Sequence, residues 1–199
     1  MAETSRKAEL TRATKETRIK VSVDVDGSGK STISTGIGFF DHMLESFAKH
    51  SAMDVNIDAK GDLHIDQHHT MEDVGIVLGQ AFKEAVGGYS GVMRFGHAYV
   101  PMDETLVRAS VDLCNRPYLI WKVGFTRDKV GNVDTELFKE FFHAFAMNAG
   151  ICLHLELLYG ENSHHIAEAS FKSLARALRA AAVVDGRLKG QVASTKGSL

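Results

Sequence analysis

Two short stretches of this chain carry residue types suited to metal chemistry, and they are near copies: His68-His69-Thr70-Met71-Glu72 and His164-His165-Ile166-Ala167-Glu168. Each is a histidine pair with a carboxylate four positions after the first histidine. On a helix, positions i and i+4 share a face, so His68 pairs with Glu72 and His164 with Glu168. An imidazole and a carboxylate one turn apart form half a site for a divalent cation. The second histidine of each pair points elsewhere and must serve another centre or none.

The elements that hold these stretches repeat. Ile19, Val21, Val23 and Val25 alternate with polar residues as a half-buried strand. Asp26-Gly27-Ser28-Gly29 reads as a hairpin turn, with Ser31 to Thr35 returning. Phe39, Phe40, Met43, Leu44 and Phe47 mark a helix. Val55, Ile57 and Ala59 mark a strand, and Met71 to about Val86 a second helix ended by Gly87-Gly88. Leu63 to Gln67 is a short strand or loop between them, and residues 1–14 read as a loose arm or short edge element.

From Glu104 the plan restarts. Glu104-Thr105-Leu106-Val107 falls on Glu16-Thr17-Arg18-Ile19, the helix Leu137 to Met147 on Phe39 to Lys49, and Leu153, Leu155 and Leu157 on Val55, Ile57 and Ala59. After a two-residue deletion, His164-His165 falls on His68-His69. A final helix carries Phe171, Leu174, Ala175 and Leu178. The chain is therefore an internal duplication: residues 1–92 form a first half-repeat and 93–199 a second, in one structural unit. Each half reads strand, strand, helix, strand, helix, with room for extra strands. The expected class is α+β: two sheets, each with two helices on one face, the helices packed between the halves. The Gly-, Ser- and Lys-rich tail from Gly186 to Leu199 reads as disordered on composition alone.

The duplication pairs His42 with Glu140. That makes eight candidate ligands, His42, His68, His69, Glu72, Glu140, His164, His165 and Glu168, which divide into two centres of four. With nitrogen and carboxylate donors and no thiolate, the set suits Mn, Fe or Co, and also Zn. The simpler reading of one such motif is a solvated or capping histidine pair; two copies at matched places weigh against it. His50, His64, His97 and His154 have no such partners, although His50 could face the site. Cys114 and Cys152 read as core residues and make no CxxC pair, so neither a disulfide framework nor a thiolate zinc site is expected.

Bulk composition narrows the classes. The 199 residues are 44% hydrophobic and 24% charged, with a formal net charge of -2. That profile belongs to a globular protein with a real core and lacks the basic bias of a nucleic-acid binder. Neither a signal peptide nor a membrane span is expected, and a cytoplasmic setting follows. Arg94, Arg116 and Lys172 are isolated basic residues, each ordinarily a solvated charge. Ser194-Thr195-Lys196-Gly197 is a short candidate anion loop.

Taken together, Asp41-His42, His68-His69-Thr70-Met71-Glu72-Asp73, Pro101-Met102-Asp103-Glu104, Arg116-Pro117-Tyr118, Glu161-Asn162-Ser163-His164-His165, Phe171-Lys172 and Ser194-Thr195-Lys196-Gly197 resemble the imidazoleglycerol-phosphate dehydratase family, over nearly the whole chain. The resemblance implies a duplicated fold like domain 2 of ribosomal protein S5. It also implies a lyase of L-histidine biosynthesis that converts D-erythro-imidazole glycerol phosphate to imidazole acetol phosphate. Two Mn2+ ions per active site are implied, as is a homo-oligomer of 24 subunits with sites between them. One metal would take His42, His69, His164 and Glu168; the other His68, Glu72, His165 and the residue at 140. Many members have His there, so Glu140 is a departure, and His143 one turn on is its rival. Arg94, Arg116, Lys172, Ser194 and Lys196 would hold the substrate phosphate.

The proton to be lost from carbon is not acidic. The expected route is an imidazolate ring, formed with a metal on each nitrogen, that expels the neighbouring hydroxyl to give a diazafulvene-like intermediate. Glu16, which by the same resemblance would contact the substrate near the reacting carbons, is the first candidate base; Glu168 is the second, although a metal would hold it. Two other readings compete: a dinuclear metal hydrolase, and a non-enzymatic module assembled by metals.

Overall fold

The computed structural model describes residues 5–188 and 191–199; the expectations for Met1 to Thr4 in the arm and for Lys189 and Gly190 in the tail lie outside them. The first sheet comprises β1 (Lys7–Ala13), β2 (Thr17–Asp24), β3 (Ser31–Ser34) and β4 (Asp54–Gly61), with helices α1 (Gly38–Ser51) and α2 (His68–Val86). The second comprises β5 (Phe95–Met102), β6 (Thr105–Leu113), β7 (Tyr118–Lys122) and β10 (Ile151–Tyr159), with α3 (Glu136–Ala149) and α4 (Ser163–Ala181). A two-stranded hairpin, β8 (Lys129–Val130) and β9 (Val133–Asp134), precedes α3.

The two sheets have the same order, β1-β2-β4-β3 and β5-β6-β10-β7. In each, three strands run antiparallel and the last pairs parallel: Ser31 lies beside Val55, and Tyr118 beside Cys152. Alternating burial along β2 and β6 sends Ile19, Val21, Val107 and Ala109 inward. The helices cover these inner faces, and α2 packs on α3 and α1 on α4 between the two sheets. This is the duplicated α+β arrangement expected from the repeat.

Three local expectations need correction. Asp26–Gly29 is not a hairpin turn, because β2 and β3 do not pair. The Asp54 carboxylate accepts from the backbone N–H of Ser28 (2.7 Å) and Lys30 (2.9 Å), so the turn is tied to β4. A parallel partner requires a crossover, and α1 supplies it. Second, the plan leaves room for β5 and β7, the counterparts of β1 and β3, but assigns no residues to them. Both are outer strands of their sheet, and their partly exposed faces blur the alternation. Third, the tail is folded against the body: Gly91 N–H donates to Gln191 O at 2.9 Å, and Leu199 packs against the core. Composition misses this because the partners are backbone groups and one arginine.

The core that positions the site is aromatic. Phe40 of α1 meets Phe141 of α3 edge-on at 5.2 Å, and Phe171 of α4 lies 5.1 Å from Phe141 and 4.8 Å from Phe142. All four side chains are fully buried, and such ring pairs add to the burial itself. This cluster locks the N-terminal turns of α1 and α4 side by side.

Candidate functional site

His42 sits two residues after Phe40 on α1, and Glu168 three residues before Phe171 on α4. The aromatic clamp therefore brings them together. His164 is in the first turn of α4, where the Asn162 side chain accepts its backbone N–H at 2.9 Å and caps the helix. Phe39 lies edge-on to the His164 ring at 5.0 Å. One ligand atom from each of His42, His164 and Glu168 lies within 4.8 Å of the others, and this is the one such group among the described residues. His164 Nε2 is 3.1 Å and His42 Nε2 3.5 Å from Glu168 Oε2. Lys172, one turn along α4, holds the other oxygen at 2.6 Å.

Glu168 is buried, and burial works against its charge. The Lys172 ammonium, with His164 and His42, outweighs that and keeps the carboxyl below its usual range. The result is an anionic oxygen between two imidazoles, which fits a divalent cation of intermediate hardness. His50 faces the same neighbourhood, its pKa lowered by burial and by the charges of Lys172 and Arg176.

His69, expected with this group, is elsewhere. Its Nδ1 lies 3.0 Å from Asp62 Oδ2. That hydrogen bond raises its pKa, burial opposes the rise, and the charges of Glu16 and Asp62 add to it. Glu16 thus stands beside His69, in the β1–β2 turn, and its carboxylate has no hydrogen bond or ion pair among the described residues.

His68 and Glu72 share a face of α2 as their spacing requires, 4.0 Å apart. His165 is held by Glu104, whose Oε2 lies 2.7 Å from Nδ1. Backbone N–H groups, that of Asn162 foremost, and then His165 keep the Glu104 carboxyl far below its usual range. Glu140 is half-buried on α3 and His143 exposed. Within one chain the expected second group of four does not converge.

The expected phosphate-binding residues also divide. Arg94, Arg116, Ser194 and Lys196 line a cleft of about 660 Å³ with Ala193 and Thr195. Arg94 occupies the left-handed region (φ 70), an uncommon place for a side-chain-bearing residue. It grips Asp112 with two nitrogens (2.7 and 3.1 Å) and donates to Ala193 O at 2.6 Å, tying the tail down. Lys196 and Gly197 turn their N–H groups back onto Ser194 (3.2 and 3.1 Å). Lys172 is with Glu168, away from this cleft's lining. A second cleft, of about 460 Å³, lies beside His164 and is lined by Arg127, Lys129 and the Glu161–Ser163 segment, which the sequence reading left without a role.

Cys114 is buried and Cys152 partly so, both free; burial raises the Cys152 thiol, as suits core residues. Among the described residues no helix is long and apolar enough to cross a membrane.

Known proteins share this sequence and this fold. The sequence model of the imidazoleglycerol-phosphate dehydratase family matches residues 35–178. A relative of that name from Phenylobacterium zucineum (strain HLK1) is 66% identical over 195 residues, 98% of this chain and 100% of its own. Another, from Magnetococcus marinus, is 60% identical, covering 98% of each chain. Two crystal structures of the enzyme superpose closely. That from Staphylococcus aureus subsp. aureus N315 has a TM-score of 0.82 and 41% identity, over 90% of this chain and 99% of the other. That from Pyrococcus furiosus, in complex with (S)-C348, has 0.83 and 40%, over 96% and 100%. With the family match spanning most of its length and such relatives along nearly all of it, the chain belongs to the imidazoleglycerol-phosphate dehydratase family and is an enzyme.

Proposed function

We propose that this enzyme dehydrates D-erythro-imidazole glycerol phosphate to imidazole acetol phosphate, a step of L-histidine biosynthesis, with two Mn2+ ions per active site. The observation that carries the reading is the convergence of His42, His164 and Glu168 in a member of this family. Three donors without a thiolate fit an ion that keeps open positions for substrate. His69 would join them from another copy of the chain. His68, Glu72 and His165, with Glu140 or His143, would hold the second ion. Ions held by these residues would supply Lewis acidity to the substrate's imidazole ring, favouring its use as an electron source.

The chain's own residues do the rest. The guanidinium of Arg116, the remaining N–H groups of Arg94, the Ser194 hydroxyl and the Lys196 ammonium would hold the phosphate, with charge-assisted hydrogen bonds from the cations. Their cleft opens at the tail, so phosphate binding and tail position are linked. Lys172 would contribute to that phosphate from a neighbouring copy. Glu16, whose carboxylate beside His69 has no partner among the described residues, would take the proton from carbon. In balance, the hydroxyl and the carbon-bound hydrogen would be lost together as one water, and the enol product would become the ketone.

Division of the groups within one chain supports a homo-oligomer with sites between subunits, 24 in number by resemblance. Phe95, Tyr118 and Tyr159, each 61% exposed, offer apolar area for such contacts. The test is removal of metal by a chelator, with particle size and imidazole acetol phosphate formation followed together. Both should fall and both should return with Mn2+. Full dehydratase activity in metal-free protein would refute the reading; phosphate release without dehydration would replace it by a hydrolase.

A further inference from the structure

We propose that Glu104 and Asp62 are positioning residues that fix the tautomers of His165 and His69, so that each ring presents an unprotonated Nε2 to a divalent cation. The inference rests on the metal-dependent reading above and goes beyond it, since neither carboxylate belongs to the expected ligand set.

The argument begins with what Glu104 already does. It lies in the β5–β6 turn behind Asp103, which adopts a left-handed backbone (φ 48). Its Oε1 accepts from the backbone N–H of Asn162 (2.8 Å) and Glu161 (3.1 Å) and from the Thr105 hydroxyl (2.9 Å). The backbone groups can only donate, so this oxygen is committed as an acceptor. Its Oε2 lies 2.7 Å from His165 Nδ1. An ionised carboxylate has no proton to give, so the hydrogen of that contact sits on Nδ1. A neutral imidazole carries one N–H, which leaves Nε2 with a lone pair. The nearest carboxylate oxygen to Nε2, Oδ2 of Asp103, is 3.7 Å away, too far for a hydrogen bond.

Asp62 repeats the arrangement on His69. It follows the last residue of β4, and its two oxygens lie 3.0 and 3.3 Å from Nδ1. A carboxylate behind a ligating histidine is a recurrent way to set ring orientation and basicity.

The duplication gives the pair a further meaning. Glu104 corresponds to Glu16, as His165 does to His69. The repeat alone therefore assigns Glu16 to support His69. Asp62 occupies that role instead, and the Glu16 carboxylate stands by without a hydrogen-bond partner among the described residues. One ancestral position thus supports a histidine in the second half and is released for proton transfer in the first.

The experiment titrates the full-length, assembled protein with Mn2+, following free ion by electron paramagnetic resonance, in wild type, E104Q, D62N and E16Q. In E104Q the backbone N–H groups hold the glutamine carbonyl, so its NH2 turns toward Nδ1 and forces the proton onto Nε2; in D62N a neutral amide replaces the anionic acceptor and lowers the basicity of the ring. E104Q and D62N should each weaken Mn2+ binding at one class of site by about 10–100-fold, with thermal unfolding of the metal-free forms unchanged; E16Q should bind as wild type. Wild-type affinity in both E104Q and D62N overturns the proposal. Absence of Mn2+ binding by wild type overturns the metal reading instead. In that event, or if a variant fails to fold, imidazole nitrogen shifts of metal-free wild type decide: Nδ1–H at His165 and His69 supports the assignment, and Nε2–H at either ring refutes it.

Discussion

The environments of Glu168 and Glu16 suit the two carboxylates to different tasks. Glu168 is buried, anionic and hemmed by Lys172, His164 and His42, so it can hold a cation but has little freedom to exchange a proton. Glu16 is exposed and its carboxylate has no partner among the described residues, which suits a base. Glu16→Gln should lower turnover by ~10²–10⁴-fold while Mn2+ content and substrate affinity persist; retained turnover removes it from the role. Lys196 has the opposite signature. Loss of one charge-assisted hydrogen bond to phosphate costs about 1.5–3 kcal/mol. Lys196→Ala should therefore weaken substrate binding by at least tenfold with smaller change in turnover at saturation, and an unchanged KM would dismiss the tail as a phosphate contact.

At the scale of elements, the helix layer tolerates little change. A Cβ on Gly75 of α2 would meet Phe141 O at 2.7 Å, and on Gly79 would meet Phe145 O at 2.6 Å, both backbone atoms of α3. Gly75→Ala or Gly79→Ala should cost about 1–3 kcal/mol by forcing the helices apart; a denaturation midpoint equal to wild type would show that the layer can yield. The β2–β3 turn carries a pH dependence. Asp54 is held below its ordinary value by the N–H groups of Ser28 and Lys30. A depressed folded-state pKa means that the contribution is complete above the ordinary aspartate value and is lost as pH falls through the depressed one. Wild type should lose this stability in acid, whereas Asp54→Asn lacks it already; parallel acid limbs for the two proteins would exclude the effect. The hairpin expected here failed for a related reason. Turn residues report a change of direction, but the partner strand was chosen by Asp54, far along the chain.

For the whole molecule, the two half-repeats meet helix to helix, and the His42–His164–Glu168 group spans that junction, with one ligand from the first half and two from the second. Separation of the halves would therefore dissolve the group, and co-expressed fragments 1–92 and 93–199 should regain Mn2+ binding only as they reassociate. Binding by the second fragment alone at wild-type affinity would show that His42 is dispensable. Much of this was legible in residue order. The i, i+4 spacing put His164 beside Glu168 and His68 beside Glu72, because helix geometry is local, and the duplication announced two sheets of one plan. What residue order left open was long-range. An aromatic clamp of Phe40, Phe141 and Phe171 brings His42 to α4, while His69 and His165 turn to the carboxylates of Asp62, which no local pattern marks, and Glu104, whose motif did not reveal this contact. Arg94 recruits a tail that composition reads as disorder. Periodicity and motif spacing are properties of neighbours in the chain; which groups share one cation or one phosphate depends on packing between distant elements, and only the folded molecule decides that.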